Sequence, residues 1–316
     1  MPTIVEHDDS VNELNAVPLN FSIDKRMTYN NSMSSNGRYL VIRQDEFIVF
    51  EYSEENKCYE KLSSINCDKD VVWCFMTNDG YVVLGDHYSN NVYDGISGKL
   101  TVETDMYGFE EEAYGLCVSN TLVNGYICAA GMCGELLIMQ CLLEDETCRL
   151  SVMTEDVFCT ESGSDDAPET GYSSVHIAED NRHVFGLSDE NQVYVYCIDT
   201  EEMIVRQVDT SVDGCFVSGS VDTGFWLSSY NCKTLYYIDP EFNFGTCIER
   251  ENAKFVTYNK DYTHGKYVID GNIVTIDLNS SEQVSVVPIG VEGHRCIDGS
   301  IYYCVDGVSY IVRCGF

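Results

Sequence analysis

Histidine, serine, cysteine and carboxylate side chains catalyse reactions and bind metals, and their spacing decides whether they can act together. None of the six histidines lies three to five residues from another, and no Gly-x-Ser-x-Gly element or calcium-type Asp-x-Asp-x-Asp-Gly loop occurs. The spacing therefore predicts no catalytic residue, no metal site and no cofactor. We expect the histidines in turns or at strand edges. They are His7, His87, His176, His183, His264 and His294.

The 16 cysteines are scattered and include no Cys-x-x-Cys pair, which argues against a structural zinc site. Most lie in apolar runs such as VVWCFM (71–76) and YICAAG (126–131). Free cysteine behaves as a small buried hydrophobe, whereas disulfide frameworks are typical of short secreted domains. The first residues, MPTIVEHDDSVNEL, do not resemble a secretory signal. We therefore expect reduced, buried thiols and a cytoplasmic or nuclear location.

Carboxylates dominate the charge, since 52 acids stand against 18 bases for a net charge of −34. This excess argues against direct binding to nucleic acid or to an anionic membrane surface. The apolar stretch LLIMQCLL (136–143) is too short to cross a bilayer. Neighbouring acids carry no mark of a raised pKa, so we interpret them as solvated surface and not as acid–base pairs.

The elements that position these side chains are predicted to be short strands. Runs rich in Val, Ile, Tyr and Phe alternate with clusters of Asn, Asp, Gly and Ser, a pattern typical of many antiparallel strands. Only five prolines interrupt the chain, in keeping with strand interiors, which exclude proline. The pattern predicts an all-β protein.

Seven similar units follow one another, each with a turn, two apolar strands, a closing polar residue and a polar hairpin. The residues that close the third strands are aligned as Glu51, Asp94, Gln140, Cys197, Asp239, Asp277 and Arg313. They recur at intervals of roughly 40 residues, which suits four-stranded propeller blades. The longest interval contains the acidic stretch 154–171, which we interpret as an inserted mobile loop.

The seventh unit lacks a fourth strand, and TIVEH (3–7) or LNFSI (19–23) could supply it. Such pairing removes an open sheet edge. The sequence therefore predicts a single seven-bladed β-propeller whose N-terminal strand closes the last blade. The predicted blades are 27–62, 69–104, 112–153, 171–209, 212–249, 253–289 and 293–316.

Several short segments resemble motifs of the WD-repeat propeller family. NVYD (91–94) followed by GK (98–99) stands where that family has a strand ending in Trp-Asp and a Gly-Lys turn. YID (237–239) and TID (275–277) hold the same acid position, and GH (293–294) resembles the family's Gly-His dipeptide. No unit contains a literal Trp-Asp, so the chain resembles a degenerate member. The resemblance implies a WD-repeat-like propeller that acts through protein partners.

Loop aromatics and acids before the third and fourth units form the predicted partner-binding site. Loops before successive first strands converge on one face of a propeller, so the two groups should be neighbours. Aromatic side chains would anchor a partner, and carboxylates would steer a basic segment. The alternative interpretation of the glutamates is a solvated loop. The residues are Tyr107, Phe109, Glu110, Glu111, Glu112, Tyr114 and Tyr172.

Two classes of function remain open. The first is a non-enzymatic scaffold or adaptor, a monomeric propeller that is a subunit of a multiprotein complex or escorts a basic client such as a ribosomal protein or histone. The second is a propeller-fold hydrolase resembling the WD-repeat esterase that acts on modified diphthamide, for which the sequence shows no nucleophile–base pair. A serine-reagent-sensitive activity would favour the hydrolase, and a stoichiometric partner would favour the scaffold.

Overall fold

β-strands are the regular elements of this protein, and the all-β prediction is confirmed. The computed structural model describes residues 16–19, 31–67, 70–105, 113–131, 136–143, 147–154, 172–178, 180–188, 192–207, 214–222, 224–229, 234–249, 253–258, 264–278, 280, 282–288, 294–295, 301–305 and 308–312. Over these ranges no helix has the length and apolar character needed to cross a bilayer.

The described strands form seven four-stranded sheets. The first sheet contains β2 (Asn31–Met33), β3 (Tyr39–Arg43), β4 (Phe47–Ser53) and β5 (Cys58–Ile65). The second contains β6 (Trp73–Met76), β7 (Tyr81–Gly85), β8 (Ser89–Asp94) and β9 (Lys99–Asp105). The third contains β10 (Ala113–Val118), β11 (Tyr126–Gly131), β12 (Leu136–Leu142) and β13 (Thr147–Thr154).

The remaining four sheets follow the same plan. The fourth has β14 (Tyr172–Ile177), β15 (His183–Ser188), β16 (Gln192–Cys197) and β17 (Glu202–Gln207). The fifth has β18 (Gly214–Ser220), β19 (Gly224–Ser229), β20 (Thr234–Ile238) and β21 (Phe244–Glu249). The sixth has β22 (Ala253–Tyr258), β23 (His264–Ile269), β24 (Asn272–Asp277) and β25 (Gln283–Pro288). The seventh has β26 (His294–Arg295), β27 (Ile301–Val305), β28 (Val308–Val312) and, from the N-terminal part, β1 (Ala16–Leu19).

The strand β1 completes the seventh sheet. It pairs antiparallel with β28, with Ala16 opposite Val312 and Leu19 opposite Ser309. The sequence pointed to 3–7 or 19–23. The observed strand, 16–19, shares Leu19 with the second segment, and the other residues of both segments lie outside the described residues. Pro18 obscured this strand, yet proline is tolerated here because β1 is an edge strand.

The core lies between successive sheets, which pack face to face, so a central strand is apolar on both faces. Val17 and Ile311 of the seventh sheet pack against Leu40, Ile42 and Phe50 of the first. Five further described clusters each lie between two consecutive sheets, from the first and second to the fifth and sixth. They are centred on Val49 with Cys74, Val92 with Leu116, Cys128 with Val175, Phe185 with Phe225, and Trp226 with Tyr267.

The turns between first and second strands follow a rule in the first three sheets. A hydroxyl at the end of the first strand exchanges two hydrogen bonds with the main chain of the tyrosine that opens the second strand. The pairs are Ser34 with Tyr39, Thr77 with Tyr81, and Ser119 with Tyr126.

These turns also bind one another from sheet to sheet. The Oδ1 atom of Asn78 accepts a hydrogen bond from the Asn36 amide at 2.9 Å. The Oδ2 atom of Asp79 accepts hydrogen bonds from the amides of Leu122 and Val123, each at 2.9 Å. We call the side of the sheets that carries these turns the lower face. Its first three turns are linked in series.

The aligned acids that close third strands cap the hairpins that follow. Asp94 Oδ1 accepts from the Ile96 amide at 3.0 Å, and Asp277 Oδ1 accepts from the Ser280 amide at 2.9 Å. Asp239 Oδ1 does the same for Asn243 at 2.8 Å, and this hydrogen bond lowers the pKa of Asp239. The acids at the motif positions therefore stabilise turns.

Candidate functional site

The side of the sheets opposite the lower face is where the first strands begin, at Asn31, Trp73, Ala113 and Tyr172, and we call it the upper face. Among the predicted residues, Tyr107, Phe109, Glu110, Glu111 and Glu112 lie outside the described residues, as does 155–171 of the acidic loop.

The two remaining predicted residues have described backbones. Tyr114 is the second residue of β10, and Tyr172 is the first residue of β14. These first strands of neighbouring sheets contact each other, with Gly115 facing Val175 so closely that a Cβ at Gly115 would lie 3.2 Å from Val175 Cγ1. The structure thus places Tyr114 and Tyr172 on adjacent strands, while the binding role of all seven residues stays a prediction.

An exposed aromatic patch, which sequence reasoning missed, lies on the upper face of the second sheet. It consists of Val72, Trp73, His87 and Tyr88, and we call it the Trp73 patch. The Tyr88 side chain is 63% exposed and Val72 is 38% exposed. The Trp73 indole meets the His87 imidazole edge to face, with ring centroids 5.1 Å apart. Large aromatic surface beside solvent is typical of residues that anchor a bound protein.

His87 joins this patch to the third sheet. Its Nδ1 lies 2.7 Å from the carbonyl oxygen of Ala113, and the Ala113 amide donates to the His87 carbonyl at 3.0 Å. A carbonyl can only accept, so Nδ1 carries the proton of this hydrogen bond. Ala113 directly follows Glu112 in the chain. The patch therefore adjoins the point where the predicted acidic segment enters β10.

The turn that presents Tyr88 is held by one carboxylate. Asp86 Oδ1 accepts hydrogen bonds from the amides of Tyr88 at 2.7 Å and Ser89 at 2.6 Å. The Asp86 amide donates to the Ser89 carbonyl at 2.9 Å, which closes the turn. This Asx-type turn fixes the backbone that projects the Tyr88 ring outward.

Exposed acids lie on the same side of the first two sheets. Asp45 and Glu46 form the turn between β3 and β4, and Asp70 precedes β6. The described base next to them, Arg43, is engaged: its Nη1 donates to the Val71 carbonyl at 3.3 Å and its guanidinium lies over the Phe47 ring. The upper face thus combines an aromatic patch with carboxylates around it.

A cavity of about 570 Å³ lies elsewhere, beside β4 and β5. Its described lining is Gln44, Ile48, Phe50, Asn56, Cys58, Tyr59, Glu60 and Lys61. This described lining includes no histidine that could act as a base for the Cys58 thiol. The described part of the chain also holds no group of three or more His, Cys, Asp or Glu side chains placed to bind a metal ion.

Comparisons with known proteins identify the fold. No protein-family model matches the chain, and no curated protein is similar to it in sequence. Among solved structures, it is similar to the β-propeller domain of Cps50 (Swd1) from Myceliophteria thermophila, with a TM-score of 0.63 and 11% sequence identity over 94% of this chain and 98% of that one. At this identity the likeness concerns fold alone. The chain has the fold of a β-propeller.

Proposed function

We propose that this protein is a non-enzymatic scaffold or adaptor that binds protein partners through the upper face of its propeller. The observation that carries the proposal is the Trp73 patch, because it exposes two aromatic rings and Val72 on rigid strand ends. A site held by packed strands and hydrogen-bonded turns loses little entropy when a partner docks.

The proposed ring has seven blades, one for each four-stranded sheet, and β1 closes the last blade. Two observations support this closure: β1 pairs with β28, and Val17 of β1 packs into the first sheet together with Leu40. Closure of this kind would leave the upper-face turns of all seven sheets around one rim.

The proposed partner carries a basic segment. A net charge of −34, with exposed Asp45, Glu46 and Asp70 near the Trp73 patch, would attract such a segment and speed its association. A ribosomal protein or a histone has the right chemistry for an escorted client, and a subunit of a larger complex fits equally. In this proposal the propeller is monomeric within a hetero-complex.

The proposed location is the cytoplasm or the nucleus. Seven cysteines whose side chains are described form no disulfide, and four of them are buried: Cys74, Cys117, Cys128 and Cys141. Buried thiols in strand cores are compatible with a reducing compartment, where disulfides are rare.

Affinity purification with a double variant tests the proposal. Trp73→Ala with Tyr88→Ala removes the exposed rings, and Ile96→Ala with Leu100→Ala is the matched control, since these side chains are 58% and 49% exposed at another place on the same sheet. We expect a basic protein to co-purify at fixed stoichiometry with the wild type and the control. The amount of this protein recovered with the patch variant should be at least tenfold lower. Equal recovery with both variants would refute the site. A serine-reagent-sensitive esterase activity without a stoichiometric partner would favour the hydrolase.

A further inference from the structure

Asn90, on β8 directly below the Trp73 patch, has a buried amide that the fold leaves unused. Its side chain is fully buried. Within the described residues, neither Nδ2 nor Oδ1 has a hydrogen-bond partner, although the Asn90 carbonyl accepts a hydrogen bond from the Thr104 hydroxyl at 2.9 Å. A buried amide with both its donor and its acceptor unsatisfied destabilises the folded state, so its presence requires a reason.

Gly85, Leu116 and Trp73 pack around this amide and close it off from solvent, and we call this packed region the notch. Gly85 lies opposite Asn90 in the β7–β8 register. A Cβ at Gly85 would come within 2.5 Å of Asn90 Oδ1 and 2.9 Å of a Leu116 methyl, so glycine makes room for the amide. The Trp73 ring lies 3.6 Å from the same point and is itself partly exposed. The notch is therefore bounded by a residue of the proposed docking site.

We infer that the Asn90 amide binds an amide group of a docked peptide, with Oδ1 accepting from its N–H and Nδ2 donating to its C=O. The inference rests on the proposed function and names the chemistry of the partner at that site. Because Asn90 is fully buried, the proposed binding requires the Trp73 indole to move aside and open the notch to the patch. The ligand amide belongs either to the peptide main chain or to a Gln or Asn side chain, since both present the same donor and acceptor.

The substitution Asn90→Leu separates this role from a structural one. If the amide has no internal partner, an apolar side chain stabilises the fold while it abolishes the recognition. A structural amide would behave in the opposite way. Asn91 provides the matched control, because it is the next residue, it is buried, and its Nδ2 donates to the Tyr93 hydroxyl at 3.4 Å.

The experiment selects peptides from a random phage-displayed library on the full-length protein and measures Kd for the synthetic winners. We expect Asn90→Leu to raise the melting temperature by a few degrees and to raise the Kd of these peptides at least tenfold. Asn91→Leu should lower the melting temperature and leave Kd unchanged. If Leu does not fit the notch, Asn90→Ala gives the same loss of binding. An invariant Gln or Asn among the winners identifies a side-chain amide, and otherwise N-methylation of single peptide bonds locates the main-chain amide.

Three outcomes overturn one or both proposals. Unchanged Kd with both Asn90 variants refutes the role of Asn90. If Trp73→Ala weakens the peptides while the Asn90 variants do not, the docking site stands and only the notch fails. If Trp73→Ala has no effect, or if no peptide binds the wild type above background, the proposed docking site itself fails.

Discussion

His176 is the fifth of the six residues of β14, and its ring stacks on Phe185 with centroids 6.4 Å apart. The sequence predicted the histidines in turns or at strand edges and did not predict this ring contact. Desolvation by burial lowers the pKa of His176 to about 4. The strand sequence YSSVHI did not predict the burial of His176, because only the apolar residues of a strand indicate which side chains face the core.

This pKa predicts a loss of stability in mild acid. The folded pKa lies below the value of about 6.5 for an unfolded histidine. Between these values the unfolded chain binds more protons, so the stability is complete above pH 6.5 and falls as the pH drops towards 4, by at most about 3 kcal/mol. Urea unfolding of the wild type and of His176→Gln at pH 7.5, 6 and 5 measures this. We expect the difference in free energy of unfolding between the wild type and His176→Gln to become smaller as the pH falls. A difference in free energy of unfolding that stays constant across these pH values would contradict the lowered pKa of His176.

The residues of the candidate site were only partly accessible to sequence reasoning. Tyr114 and Tyr172 were predicted in loops or at strand starts, and their backbones lie at the beginning of β10 and β14, while their binding role stays a prediction. Trp73 was missed because it stands inside the apolar run VVWCFM, which was interpreted as core around Cys74. Its exposure depends on its place as the first residue of β6, a boundary that the run does not mark. The sequence could not predict the role of Asn90 for another reason. Whether a buried amide finds a hydrogen-bond partner depends on how the side chains pack, and the sequence alone does not show this.

At the scale of elements, the lower-face turns hold the first three sheets together. Asp79 carries two of these links, since its Oδ2 accepts from the amides of Leu122 and Val123 in the third sheet. We expect Asp79→Ala to reduce the free energy of unfolding by about 1–3 kcal/mol, because two amides lose a charged acceptor.

Urea unfolding of Asp79→Ala measures this loss, and Asp222→Ala is the control. Asp222 is an exposed acid in the corresponding turn of the fifth sheet, so its removal should change stability by less than about 0.5 kcal/mol. Equal midpoints for the two variants would show that the links between turns add nothing to stability.

Strand identity was predictable from the sequence, and strand linkage was not. Apolar runs bounded by polar turns placed most strands, and the aligned residues Glu51, Asp94 and Gln140 stand opposite the tyrosines that open their second strands. The hydroxyl–tyrosine rule escaped notice because the turns differ in length, as in SSNGRY and SNTLVNGY. The strand β1 was not predicted at 16–19 because Pro18 argues against a strand at every position except a sheet edge.

At the scale of the whole molecule, charge is the property that composition gives directly. A net charge of −34 argues against binding of nucleic acid and is the basis of the proposed attraction of basic proteins. The repeat of roughly 40 residues predicted the propeller fold that the structural comparison supports. The placement of the acids on one face does not follow from composition, because it depends on which loops carry them.

Charge reversal tests whether the predicted acidic segment steers association. Changing Glu110, Glu111 and Glu112 to Lys should slow binding of the basic partner about tenfold or more at low salt. The difference should shrink near 0.5 M salt, where the Debye length falls below about 5 Å. Stopped-flow association rates across a salt series measure this effect. Rates that are indifferent to both salt and reversal would mean that the charge serves solubility alone.

Hydrogen–deuterium exchange of the protein with and without its purified partner tests the central claim most directly. If the partner docks on the upper face, protection on binding should appear in peptides that cover 71–73, 86–90 and 113–116, where the Trp73 patch, Asn90 and the start of β10 lie. The linked turns at 34–37, 77–80 and 119–125 should exchange at unchanged rates. Protection confined to those lower-face turns would contradict the account.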